Sequence, residues 1–132
     1  MTQKRIDAFL IIADQELAAA AQLKAPLPRQ AQYFLQQTVE KLIRAVLESL
    51  EIVAGTSHQL FSLAAMLPQS HPLRERFQTF EYLSNASTRY RYPSSAGAVH
   101  DVSSEAVGAT FEDVTCLRDE VLAHLQALRP AR

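Results

Sequence analysis

The chain has no tryptophan, one cysteine and three glycines in 132 residues. Each shortage removes a class of protein. Cys116 has no second cysteine to pair with, so a disulfide-stapled secreted scaffold is excluded and the cytoplasm is the expected address. Three glycines against six prolines leave little for phosphate-cradling loops. Neither the Rossmann nor the P-loop pattern occurs, which excludes dinucleotide and P-loop nucleotide enzymes. A strong charge is missing too: 13 Lys and Arg against 14 Asp and Glu give a formal charge of -1. The chain as a whole therefore has no electrostatic reason to bind nucleic acid or an acidic membrane. Long apolar runs are also absent. The stretch from Ile6 to Ala13 meets Asp14 and Glu16, well short of the ~20 residues of a membrane span, so no membrane or export segment is expected.

What is present is apolar residues at helical spacing, within a 48% hydrophobic composition sufficient for one domain over residues 1–132. Ile6, Phe9, Leu10, Ala13, Leu17, Ala20 and Ala21 recur at steps of three and four and predict a first helix from about Gln3 to Leu23, stopped by Pro26. Leu35, Val39, Leu42, Val46, Leu50 and Val53 form the seam of a second, with Phe34, Ala45 and Leu47 widening it. That breadth places this helix at the centre of the bundle. Pro28 suits its entry and Gly55 its exit. A short third helix carries Leu60, Leu63, Ala64 and Leu67, capped by Thr56 or Ser57. A fourth, opened near Ser70 to Pro72, carries Leu73, Phe77, Phe80 and Leu83 and runs out between Asn85 and Thr88. After an irregular stretch from Ser94 to Ser104, a last helix carries Val107, Val114, Leu117, Val121, Leu125 and Leu128. No period-two alternation is sustained. The fold class is all-α, an up-and-down bundle of four to five helices.

The small net charge hides an uneven distribution. Residues 67–99 hold Arg74, Arg76, Arg89 and Arg91 against Glu75 and Glu81, whereas residues 100–132 hold three Arg against six acids. Aromatic side chains concentrate in the basic third. Within it, Thr88-Arg89-Tyr90-Arg91-Tyr92-Pro93 sets two guanidinium groups and two phenols at a helix-to-loop junction. Arginine makes bidentate contacts to phosphate and tyrosine can stack on a base. The structural alternative is that the tyrosines pack over the bundle end while the arginines pair with the acidic tail.

An Ala- and Gln-bearing helix opening, Glu40-Lys41 with the apolar run to Leu50, Gly55 followed by His58 and Leu60, and Arg91-Tyr92-Pro93 occur here in that order. In this order and spacing the sequence resembles the HEPN domain over nearly its whole length. The resemblance implies a small helical bundle, a homodimer, and pairing with a minimal nucleotidyltransferase in a two-component system, often toxin–antitoxin. It also implies one of two jobs. Many HEPN proteins are metal-independent ribonucleases using an Arg and a His four to six residues apart; others bind partners or nucleotides without catalysis.

The spacing test favours the second job. Only Arg118 and His124 satisfy it, and about one such pair is expected by chance from ten arginines and four histidines. On one helix their six-residue separation turns the side chains about 120° apart, in an acidic neighbourhood. Arg91 with His100 is a looser pair, in which Arg91 would stabilise phosphorane charge and His100 would move the proton of a ribose hydroxyl. The expectation is therefore a non-catalytic module that binds nucleotide, RNA or the partner through Arg89, Tyr90, Arg91 and Tyr92, with Lys41 as an additional phosphate contact. The ribonuclease is the first alternative and a plain helical adaptor the second. Arg44 reads as a solvated helix residue, His58 as a cap or packing residue at the third helix, His71 as a helix-start residue, and Cys116 as a buried or half-buried small hydrophobe. No metal-ligand spacing occurs among the histidines, so neither metal nor cofactor is expected.

Overall fold

The computed structural model describes residues 3–129. Among these, three long helices carry the architecture: α1 (Gln3–Leu23), α2 (Pro28–Ser49) and α6 (Ser104–Ala127). Between the last two the chain returns through short pieces, α3 (Leu60–Ala64), α4 (Arg74–Gln78), a 3-10 turn at Glu81–Leu83 and α5 (Ala86–Arg89). No strand occurs among the described residues.

Ion pairs fix the directions. Arg5 meets Glu48 and Glu16 meets Lys41, so α1 and α2 are antiparallel. Arg118 meets Asp14 and Arg129 meets Asp7, so α6 also runs against α1 and hence along α2. Two neighbouring helices of the same direction need a long return, which residues 50–103 supply. α2 is central, as its broad apolar surface indicates: Leu35, Val39, Leu42, Ile43, Val46 and Leu47 are all fully buried. α1 contributes Ile6, Ala13 and Ala20 to the core, and α6 contributes Val107, Val114, Leu117, Val121 and Leu125.

Helix ends differ from expectation in informative ways. α2 stops at Ser49 rather than near Gly55. Glu51 takes the left-handed conformation (φ 59°), and the Ile52 and Glu51 amides donate to the Leu47 and Glu48 carbonyls at 3.0 Å each, closing a Schellman cap without glycine. Leu50 and Val53 consequently leave the seam, Val53 being 87% exposed. α3 starts after Gln59, and neither Thr56 nor Ser57 caps it; Ser57 Oγ instead accepts from the Gln59 amide at 3.2 Å. The expected fourth helix is broken into α4, the 3-10 turn and α5, yet its apolar residues Leu73, Phe77, Phe80 and Leu83 are all buried. Burial, not helical continuity, was what their spacing reported. α6 is capped by Ser103, whose hydroxyl accepts from the Ala106 amide at 3.0 Å. Leu128 lies beyond its end and is exposed. Cys116 is exposed as well, because one residue turns it about 100° away from buried Leu117.

At the far end of α6, His71 and His124 meet edge-to-face with ring centroids 4.8 Å apart. His71 Nδ1 accepts from the Leu73 amide at 3.1 Å, so its neutral form serves the turn into α4. Burial, with His124 adding to it, holds the His71 pKa below its ordinary 6.5. A lowered folded-state pKa means the unfolded chain takes up the proton first, so stability falls as pH drops below about 6.5. A His71→Gln variant is expected to lose part of that acid sensitivity, read as a shallower drop in melting temperature between neutral and mildly acidic buffers. An unchanged slope would dismiss this role.

Candidate nucleotide and RNA interface

Arg89 ends α5, and the chain then leaves the bundle through Tyr90, Arg91, Tyr92 and Pro93. A tight turn brings it back: the Ser94 amide donates to the Ala98 carbonyl and the Gly97 amide to the Ser94 carbonyl, both at 2.8 Å. Gly97 sits at φ 83°, a conformation that costs a side-chain-bearing residue strain. This return carries His100 to the same surface. Two clefts result. One, of about 530 Å³, is lined by Asn85, Thr88, Arg89, Tyr92, Pro93 and His100. The other, of about 360 Å³, is lined by Arg29, Gln30, Tyr33 and Phe34 from the first turns of α2 together with Tyr90 and Arg91.

The guanidinium groups here are held by rings rather than by acids. Arg91 lies over Tyr33 at 5.0 Å and over Tyr92 at 5.5 Å, and Arg89 over its neighbour Tyr90 at 5.9 Å. Arg91 also donates to the Ser87 carbonyl at 3.4 Å. Arg29, Arg89 and Arg91 form no salt bridge among the described residues. Most other arginines among them are spent on acids: Arg76 holds Asp113 and Glu120, Arg118 holds Asp14 and Asp119, and Arg129 holds Asp7, while Arg74 reaches only the Ala65 carbonyl. Of the acids on the last helix, Asp113 and Glu120 are held by Arg76 and Asp119 by Arg118, and the pairing of Arg89 and Arg91 with the tail, expected as the structural alternative, does not occur among the described residues. Stacking on tyrosine fixes a guanidinium plane without cancelling its charge, which leaves it available to a phosphate.

The other sequence candidates fall elsewhere. His100 shares a cleft with Arg89, not with Arg91, so the looser Arg91–His100 pair is split between the two clefts. Arg118 forks onto Asp14 of α1 through Nε at 2.9 Å and Nη2 at 3.0 Å, whereas His124 faces His71. The two side chains serve different faces of α6. Lys41 is not a spare phosphate contact: its Nζ lies 3.1 Å from Glu16 and donates to Gln37 at 2.9 Å between α1 and α2. Burial pushes the Glu16 carboxyl up, and Lys41 pulls it partly back.

Sequence reasoning missed two features. Arg29 and Tyr33 come from the entry of α2, more than fifty residues before Arg91; the only local signal was a cation and an aromatic residue one helical turn apart after Pro28. The second is a polar ladder on one face of the central helix. Buried Glu40 accepts from Arg44 Nε at 3.2 Å, lies 3.4 Å from Gln36 Nε2 and meets His58 Nδ1 at 2.9 Å. Arg44 also donates to the carbonyls of Gly55 and Ser57 at 2.9 and 2.8 Å, and Gln36 to that of His58 at 3.3 Å. Arg44 is therefore part of a clamp on residues 55–58, not a solvated helix residue, and His58, whose ring is mostly exposed, adds its Nδ1 contact to Glu40. A third cleft, of about 590 Å³, lies at this end of α2, but its arginines, Arg5 and Arg44, are already engaged by Glu48 and Glu40. The cleft pair near Arg89 and Arg91 is the better phosphate candidate for that reason.

Among the described residues no group of three or more His, Cys, Asp or Glu side chains is placed to hold a metal, and no helix is long and apolar enough to cross a membrane. The HEPN domain family model matches residues 7–122, most of the chain. The protein belongs to the HEPN domain family. No curated protein and no solved structure matches it.

Proposed function

We propose that this HEPN domain is a non-catalytic module that binds a nucleotide or single-stranded RNA through Arg29, Arg89 and Arg91, with Tyr33, Tyr90 and Tyr92 as stacking surfaces. In this reading it acts as a homodimer in the cytoplasm, beside a minimal nucleotidyltransferase in a two-component system of the toxin–antitoxin kind. The observation that carries the binding site is the set of three arginines on one surface without carboxylate partners, two of them lying over tyrosine rings. Guanidinium groups contact phosphate oxygens and phenol rings stack on bases, a combination suited to single strands and to mononucleotides. The non-catalytic assignment is supported by the separation of Arg118 from His124 and of Arg91 from His100.

The test is a fluorescence titration of a labelled RNA oligonucleotide and of a labelled mononucleotide with wild type and Arg91→Ala. Losing one charge-assisted phosphate contact is expected to weaken affinity roughly tenfold. Unchanged affinity would remove the site. RNA cleavage by wild type that is lost in His100→Ala would replace the binding reading with the ribonuclease.

A further inference from the structure

α1 has two apolar faces, and the fold uses only one. Ile6, Ala13 and Ala20 point into the core. On the opposite side Ile11 and Ile12 are 59% and 41% exposed, although isoleucine at consecutive exposed helix positions gains nothing from water. With about 100° per residue, both lie within about 60° of Gln15, as do Ala8, Ala18, Ala19 and Gln22. Between residues 8 and 22 no charged side chain lies on this stripe, and Lys4 continues it at the start of the helix. All are exposed except half-buried Ala19.

The order of sizes along this stripe is informative. Ile11 and Ile12 precede Gln15 by four and three residues; Ala19 and Ala18 follow it by four and three. An antiparallel copy of α1 centred on Gln15 would set Ile11 against the partner's Ala18 and Ile12 against the partner's Ala19, twice each by symmetry. Large side chains then meet small ones at all four contacts, and Gln15 meets its own copy on the two-fold axis, where an amide can both donate and accept. Ala8 faces the partner's Gln22 at each end. A partner of unrelated sequence gives no reason for large and small residues to be placed symmetrically about one position.

The geometry points to this α1 face as the homodimer interface, with a second copy of the chain packed antiparallel about Gln15. The inference rests on the homodimer proposed above and adds where the copies meet. The stripe is smaller than the 20–30 residues per side of a standard interface, so the dimer should be reversible and concentration-dependent.

Light scattering of the full chain across a range of concentrations tests it, together with an Ile11→Asp, Ile12→Asp double variant whose helicity and melting are checked in parallel. Both positions are exposed, so the fold should survive. Wild type is expected to approach twice the 14.7 kDa chain mass, and the variant to fall twofold, to one chain. In a Cys116→Ser background, Gln15→Cys should cross-link to a covalent dimer under mild oxidation. Gln22→Cys should not, because antiparallel copies set its two sulfurs about 20 Å apart along the axis, beyond disulfide reach. A one-chain mass for wild type at all concentrations would overturn both the dimer and this face. A dimer indifferent to the double variant, or cross-linked as well at position 22 as at 15, would overturn the face alone.

Discussion

Glu40→Ala is expected to destabilise the protein by about 3–5 kcal/mol, because it removes the carboxylate from a buried ion pair and leaves Arg44 without a counter-charge. That is a large share of the ~5–15 kcal/mol by which a domain is normally stable. Three effects combine at this position. The Glu40 side chain is 4% exposed and Arg44 14%, so water replaces little of what is lost. His58 loses the partner of its Nδ1, and Gln36 loses an acceptor. Residues 55–58, held by Arg44 through two carbonyls, lose the anchor that orients the guanidinium. His58→Ala should cost far less, since the ring is mostly exposed and surface ion pairs contribute little. Urea unfolding would show the difference as a large drop in midpoint for Glu40→Ala and a small one for His58→Ala, with the denaturant slope preserved. Equal losses would mean that the ladder is not centred on the Glu40–Arg44 pair.

Phe77→Ala is expected to cost about 3–5 kcal/mol and to affect binding as well. α4 and α5 span five and four residues, too short to be stable as isolated helices, so their positions depend on what they bury. Phe77 and Phe80 are both fully buried and are the largest side chains in the core. They join the return segment to the core cluster that the long helices share. Removing one opens a cavity under the segment that leads to Arg89 and Arg91. Weakened RNA affinity at a temperature where the variant is still folded would connect this packing to the site. Full affinity in a strongly destabilised variant would show that residues 86–93 are positioned independently of Phe77.

The long helices were legible because their signal is local: a stripe at steps of three and four names both the helix and its buried face. Gln3–Leu23 was bounded from spacing and Pro26 alone. The end of α2 was not legible, because the left-handed cap falls on Glu51, whereas the sequence offers Gly55 as the residue that adopts such a conformation without strain. The return segment misled differently. Leu73, Phe77, Phe80 and Leu83 keep helical spacing, but tertiary burial satisfies them in broken turns just as well. At the candidate site, Arg89 to Pro93 stood out by composition, whereas Arg29 and Tyr33 join its cleft only through folding. Lys41 shows the reverse error: a helix cation that reads as exposed is occupied by Glu16, an acid twenty-five residues away in sequence.

The near-neutral charge of the chain and the basic character of this surface are compatible because most other arginines are paired with acids within the fold. Phosphate binding should therefore depend on Arg89 and Arg91 and not on Arg118, which Asp14 already holds. The most direct measurement is the salt dependence of RNA affinity for wild type, Arg89→Ala/Arg91→Ala and Arg118→Ala. The double variant should bind more weakly with a shallower dependence on salt, by about one unit of slope per lost phosphate contact, while Arg118→Ala should follow wild type. Affinity and slope that are unchanged in the double variant, or lost equally in Arg118→Ala, would contradict the assignment.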